Sequence, residues 1–297
     1  KENITYILNS LKSCVEEFEE NKKILHIFNS EYCLDKKKLD NLPIGLFGNF
    51  YSHYLSFNLI NKQDYKNLEN IFKKCNLKIK KILLESFVKG SLISDLYPKI
   101  ETFYYLNLRE KNSKFFFVNN NATVFEQKFN FGTEIVSKDI SKITSLDINT
   151  IEQIINNNEK IHEISETELI EEKFFEERKF RKIKKKLIRD IASARIKELS
   201  ELIYSKNINF KNFNQKNTTI FIEINNNLHL KCFRKIYEDF FNYDNKFEVT
   251  FLENLNLKDE LCATNRIVQF GWKKEAIPIS KSKKSIIARF FNFLFND

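Results

Sequence analysis

Methionine is missing from all 297 residues, position 1 included. The expectation is a fragment or a processed chain, with some segment ahead of Lys1. Glycine and proline number only five and three, so the chain is poor in tight turns. No run of about 18 apolar residues occurs, so no membrane-spanning helix is expected. No N-terminal signal peptide is visible either. The five cysteines, Cys14, Cys33, Cys75, Cys232 and Cys262, form no CxxC pair. Their odd number argues for reduced thiols in a cytosol. His26, His53, His162 and His229 stand alone in sequence, and no metal site is expected from them.

What is plentiful is phenylalanine, at thirty, and lysine with arginine, at 49 against 40 acidic residues. The abundance of Phe, Lys, Asn and Ile resembles the codon bias of an AT-rich genome, which lowers the weight of any single Lys or Phe. At 42% hydrophobic, the chain has material for a sizeable core in two or more domains. The net charge of +9 points to an anionic partner: nucleic acid, lipid headgroups or an acidic peptide. Basic drift in a lysine-rich proteome competes with that reading.

Helical and strand patterns alternate along the chain. Residues 2–19 place Ile4, Ile7, Leu8, Leu11, Cys14, Val15 and Phe18 at helical spacing. A strand at 24–35, a Gly/Pro turn region at 42–50, a period-two strand at 51–60 and an amphipathic helix at 62–77 follow. A short strand is expected at 78–86 and a short helix at 87–97. Strands come next at 102–108, 114–118 and 123–131, the last after an Asn-rich turn. Helices start near Thr133 and Asp147, and a basic helix spans about 176–205. A strand at 217–224, a helix at 228–241, a strand at 246–253 and a helix at 263–272 complete the pattern. This alternation argues for α/β architecture.

Four stretches carry a resemblance to the bacterial cell-division protein FtsA, an actin-like membrane adaptor. "KKILHIFNSEYCLDKKKLDNLPIGLFG" (22–48) resembles that family's V-L-H strand followed by a P-V-G-L-x-G turn. "NLENIFKKCNLKIKKILLESFVKGSLI" (67–93) resembles its segment centred on C-G-L. "FGTEIVSKDIS" (131–141) resembles A-G-x-x-V-T-x-D-I-A. The fourth is the C-terminal amphipathic stretch behind a basic linker. The resemblance runs in order over all 297 residues. It implies an α/β, actin-like (ribonuclease H-like) fold with an inserted FtsA-type 1C (SHS2) subdomain. The implied domains are 1C at 1–76, a remnant of 1A at 77–100, 2A at 101–132 and 217–272, and 2B at 133–216. A basic linker at 273–284 and an amphipathic helix at 285–297 follow. The first part of domain 1A, with its first phosphate loop, would lie upstream of Lys1.

The chain departs from the family where nucleotide phosphates would be held. The family's D-I-G-G-G-T-x-D hairpin here reads "NLREKNSK". Asn107 and Lys114 replace the two aspartates, and Arg109, Glu110 and Lys111 replace the three glycines. The second loop, T-G-G-A in the family, reads Glu223, Ile224, Asn225, Asn226. Glycine lets backbone amides approach phosphate closely, and Glu110 would repel it. A degenerate nucleotide site is expected, with no catalytic residue, no metal and no cofactor; Arg109 and Lys111 could still attract phosphate as point charges.

Eight cationic residues crowd between Arg178 and Arg189, with Phe180, Ile183, Leu187, Ile188 and Ile191 as an apolar stripe. Core packing with a solvated basic face is one reading. The resemblance implies the other: a basic face of subdomain 2B that grips the acidic tail of FtsZ, the tubulin-like division protein. Lys184, Lys185, Arg189 and Arg195 are the candidates, chosen from charge and helix position. A nucleic-acid backbone would suit the same charges, but no helix-turn-helix, zinc or RNP-type motif supports it, so no nucleic acid is expected.

The last twelve residues hold seven large apolar side chains. On a helical wheel Ile286, Ile287, Phe290, Phe291, Phe293 and Leu294 cluster, opposite Ser285, Arg289, Asn292 and Asn296. A helix of this length is about 20 Å long, too short for a bilayer core of roughly 30 Å, and suits an in-plane interfacial helix. Lys281, Lys283 and Lys284 precede it, placed for anionic lipids. The expected protein is a peripheral adaptor at the division site, on the cytoplasmic face of the inner membrane. FtsZ and anionic lipids are its partners, with self-association through the 1C and actin-like domains as a further expectation. An ATP-binding actin-like polymer former, or a pilus-assembly relative of the same architecture, are the alternatives.

Overall fold

A computed structural model describes residues 2–43, 45–157, 166–175, 181–213, 218–242, 247–253 and 255–276. The chain is mixed α/β. In order it runs α1 (Glu2–Phe18), β1 (Lys22–Leu34), β2 (Lys37–Leu39), β3 (Tyr51–Asn61), α2 (Lys62–Lys74), α3 (Glu85–Leu96), β4 (Phe103–Leu108), β5 (Ser113–Asn119), β6 (Ala122–Phe129), α4 (Glu134–Thr144), α5 (Ile148–Asn156), α6 (Lys185–Ile203), α7 (Ile208–Lys211), β7 (Thr218–Ile224), α8 (Asn227–Phe241), β8 (Phe247–Phe251) and α9 (Leu257–Phe270). Two compact units emerge: residues 1–91 with 120–124 and the chain from Cys262 on, and residues 92–119 with 125–261.

The first unit is built on a three-stranded antiparallel sheet, order β2-β1-β3. Asp35 and Lys36 both take positive φ, 49° and 67°, the two-residue turn geometry that suits the twist of a hairpin. Asn61 caps α2 by accepting from the Gln63 amide, and Lys73 and Lys74 close its last turn, where the helix dipole favours cations. Phe28 and Phe87 pack edge to face at 4.8 Å. The segment after α9 returns to β1: the Asn29 amide donates to the Lys274 carbonyl at 2.8 Å and the Ala276 amide to that of Ile27 at 2.7 Å. Glu275 then meets His26 Nδ1 at 2.8 Å and Lys81 Nζ at 2.9 Å. Burial pulls the Glu275 carboxyl up, but these two partners hold it below its usual range.

The second unit is built on a five-stranded sheet, order β6-β5-β4-β7-β8. Strand β4 pairs antiparallel with β5 and parallel with β7, which pairs parallel with β8. Taken from β4 as the first strand, the order is 3-2-1-4-5, the ribonuclease H-like arrangement. All six residues of β4 are buried, as a central strand covered on both faces should be. One face joins Phe103, Tyr105, Phe116, Val118, Phe221, Leu252 and Ile93 in a core cluster. On the other, Tyr104 packs against Phe115, Phe117, Phe210 and Phe247. Each such buried ring is worth about 1.5–3 kcal/mol.

Three expected elements are corrected. Residues 78–84 are irregular, and α3 begins at Glu85; among the described residues no strand pairs with this run, and an unpaired strand cannot persist. The basic helix starts at Lys185, not near 176. The Ile170 amide bonds the Ile183 carbonyl at 2.8 Å and the Lys185 amide that of Glu168 at 2.9 Å, so 183–185 is held extended until its amides are released. Residues 176–180, with Phe180, lie outside the described residues. Helix α9 starts earlier than its apolar spacing predicts. Asn256 and Asp259 cap each other reciprocally at 3.1 and 3.2 Å, a capping box that opens the helix at Leu257.

Candidate functional site

The two expected nucleotide loops meet. Asn107 on β4 stands in register with Glu223 on β7, and Leu108 with Ile224. Both strands run parallel and end at the same sheet edge, where open α/β sheets place their ligands. The loop after β4 carries Arg109, Glu110 and Lys111; the loop after β7 carries Asn225 and Asn226.

A phosphate cradle needs amides pointing outward. Here they are used inside the protein. The Arg109 amide donates to the Asn112 carbonyl at 3.1 Å, and the Asn225 amide to that of Leu108 at 3.1 Å. The first amides of α4 also turn to the hairpin: Thr133 donates to the Arg109 carbonyl and Glu134 to that of Glu110, both at 2.9 Å. Gly132 permits this clasp. A Cβ there would stand 2.1 Å from the Arg109 carbonyl oxygen and 2.4 Å from that of Glu110. On α8, the His229 amide is taken by the Asn226 side chain.

The charges complete the picture. Lys114 is buried, its Nζ 3.0 Å from Glu126 Oε1. The Glu223 carboxylate accepts from the Tyr105 hydroxyl at 2.5 Å. Asn107 is buried, and its Oδ1 has no hydrogen-bond partner among the described residues. Glu110 and Lys111 are exposed. A magnesium nucleotide needs carboxylate or water oxygens around the ion and amides or cations around the phosphates. With an ammonium at Lys114 and carboxylates at Glu110 and Glu223, the residues at this edge do not fit the group. Glu126, Tyr105 and Gly132 escaped the sequence reading; a lone Glu in an apolar strand was the available signal for the first.

Behind this edge, Ser137 of α4 and His229 of α8 form a buried pair, Oγ to Nε2 at 3.2 Å. Burial pushes the His229 imidazole down to about 4. Its Nδ1 finds no partner among the described residues.

The four candidates on the basic helix divide. Lys185 is buried and paired with Glu168 at 2.5 Å. Arg195 pairs with Asp139 and, at 2.5 Å, with Glu198. Arg189 reaches Asp190 at 3.4 Å, and Lys184 is exposed. Neighbouring Lys186 holds Glu166 at 2.6 Å. Lys185 and Arg195 therefore brace the helix, while Lys184 is exposed and Arg189 is half-buried beside Asp190. Ile188 and Ile191 are buried as the apolar stripe predicts, whereas Leu187 is 39% exposed.

The anchor candidates Lys281, Lys283, Lys284, Ile286, Ile287, Phe290, Phe291, Phe293 and Leu294 lie outside the described residues. Among those described, no helix is long and apolar enough to cross a membrane, and no group of three His, Cys, Asp or Glu could hold a metal. In the first unit Phe18, Phe47 and Phe50 stand exposed, Phe47 at 98%.

No protein-family model matches the chain, and no curated protein matches it significantly in sequence. Among solved structures it is similar to the ethanolamine utilization protein EutJ from Carboxydothermus hydrogenoformans, at 8% identity and a TM-score of 0.37, over 55% of this chain and 48% of that one. It is similar to a PilM–PilN type IV pilus biogenesis complex at 7% identity and 0.48, over 88% and 70%. It is also similar to MreB 5 of Spiroplasma citri bound to AMPPNP, at 13% and 0.44, over 70% and 65%. The chain thus spans about half of the first of these and just under two thirds of the third. The likeness is loose, and the fold rests on the strand order of the chain itself.

Proposed function

We propose that this chain is an actin-like adaptor that ties FtsZ filaments to the inner face of the cytoplasmic membrane at the division site, without hydrolysing nucleotide. One observation carries the reading. The sheet edge where such a fold would hold nucleotide is present, but its loops lack glycine, the Arg109 and Asn225 amides are bonded within the chain, and Lys114 is paired with Glu126. What is left to a protein of this kind is binding. The segment 285–297 supplies the membrane end, with Lys281, Lys283 and Lys284 near anionic headgroups. The basic helix supplies the filament end, and the exposed Phe18, Phe47 and Phe50 offer apolar surface for self-association.

The filament end sorts by role. Lys184 and Arg189 meet the acidic tail of FtsZ; Lys185 and Arg195 hold the helix in place through Glu168, Asp139 and Glu198. A tail peptide should bind the full chain, more weakly as salt rises. Reversing Lys184 and Arg189 to Glu together should weaken binding by at least about tenfold, roughly 1.4 kcal/mol, at an unchanged melting temperature. Fluorescence anisotropy reads both arms. Unchanged affinity in the double variant would move the site elsewhere, and tighter binding of duplex DNA at equal salt would favour a nucleic-acid partner.

A further inference from the structure

One end of the first unit's sheet is apolar and basic at once. The β1–β2 turn, Asp35 and Lys36, meets the end of the β2–β3 loop, residues 45–50, because Leu34 pairs in register with Tyr51. The Asp35 amide donates to the Phe50 carbonyl at 2.8 Å. The Asp35 carboxylate accepts from the Asn49 and Phe50 amides at 2.9 and 2.8 Å. Gly48 lies directly on this turn: a Cβ there would stand 2.5 Å from Leu34 Cδ1 and 2.8 Å from Asp35 Oδ2. The loop backbone is held in place while its large side chains face solvent. Leu46 is 59% exposed, Phe47 98% and Phe50 76%.

Apolar side chains fixed in water are a standing cost, and exposed clusters of them mark interaction surfaces. The charges beside the cluster choose the partner. Lys36 and Lys37 are exposed, and Lys38 is held by Glu31 at 2.6 Å. The Asp35 carboxylate is engaged by its two amides, and exposed Asp40 subtracts one charge. A second copy of this chain suits the apolar part but not the lysines, because its own net charge is +9. An anionic lipid surface suits both, with ammonium groups among the headgroups and the apolar side chains just below them.

We propose that this loop is a second membrane contact of the chain: Leu46, Phe47 and Phe50 insert into the lipid interface while Lys36 and Lys37 meet anionic headgroups. The inference deepens the tethering reading and rests on its membrane half. A tail alone lets the folded part swivel, whereas a second contact fixes which end of this sheet faces the bilayer.

The test uses the full chain carrying Phe47→Trp. The unsubstituted protein has one tryptophan, Trp272, which packs on Phe87 and bonds the Asn121 carbonyl; it is the control. On vesicles of phosphatidylglycerol and phosphatidylcholine, the indole introduced at position 47 should shift its emission to the blue. Lipids brominated along the acyl chain should quench it at least about twofold and leave the control nearly unchanged. Lys36→Glu/Lys37→Glu should weaken sedimentation with the same vesicles by at least about tenfold, at an unchanged melting temperature. Protein that sediments while the introduced indole stays in water overturns the proposal and leaves the tail anchor standing. Sedimentation and quenching that survive Phe291→Glu/Leu294→Glu would support the loop and remove the tail from the tethering reading. Absence of sedimentation overturns both. A dimer that forms without lipid and is lost on Phe47→Ser would assign the loop to a second copy and overturn the lipid proposal.

Discussion

His229 shows how burial sets chemistry at a single residue. The imidazole packs against Phe233 and Ser137, and desolvation alone pushes it down to about 4. A free histidine titrates near 6.5. Between those values the unfolded chain takes up a proton and the folded chain refuses it. Stability from this group is fully present above about 6.5 and is lost as pH falls toward 4, by up to roughly 3 kcal/mol. His53, also lowered by burial, acts in the same direction. Urea unfolding across this range should show a flatter pH profile for His229→Gln, which keeps a polar partner for Ser137 but does not titrate. An unchanged profile would mean the imidazole is solvated. None of this was legible in the sequence, where His229 is one isolated histidine. What could be read there was the local chemistry of glycine: the losses at 109–111 and at 224–225 are visible as letters, and their positions on adjacent strand ends follow from strand order.

At the level of elements, period and capping fixed most of what was readable. The strand β3 and the helices α1, α2 and α8, read from the spacing of neighbouring residues, are all present, although burial along β3 alternates only from Tyr51 to Tyr54. Two of the three misreadings share a cause, since each depended on a distant partner, whereas the start of α9 turned on the local cap between Asn256 and Asp259. Residues 78–84 look like a strand but have no described edge to pair with. Residues 181–184 look helical but are held by 168–170 through backbone bonds. The clasp between the 109–112 hairpin and α4 is also non-local, resting on the fit of Gly132 against two carbonyls. The tail is an element of the opposite kind, proposed from periodicity alone. If 285–297 is an interfacial anchor, replacing Phe291 and Leu294 by Glu places two charges in its apolar face. Sedimentation with acidic vesicles should fall by more than about tenfold, since each inserted residue is worth about 1.5–3 kcal/mol when fully buried. The melting temperature should stay within about 2 °C, because a tethered segment adds little to the folded units. A large fall in melting temperature would show instead that the segment packs inside the protein.

The chain combines a sheet of ribonuclease H-like order with a three-stranded unit, and several backbone amides at its candidate ligand edge are bonded within the chain. Fold class was legible because strand and helix alternation is written locally. The state of that edge was only half legible: missing glycines announce that phosphate is poorly served, whereas the amide bonds and the Glu126–Lys114 pair require the assembled sheet. On the proposed reading, this chain bridges a membrane and a filament with no nucleotide of its own. The most direct measurement is fluorescence imaging of FtsZ filaments over a supported bilayer containing anionic lipids, with the full chain added and ATP withheld. Filaments should be recruited to the bilayer, with the same recruitment when ATP is supplied. Filaments that stay in solution, or that reach the bilayer only when ATP is present, would contradict that reading.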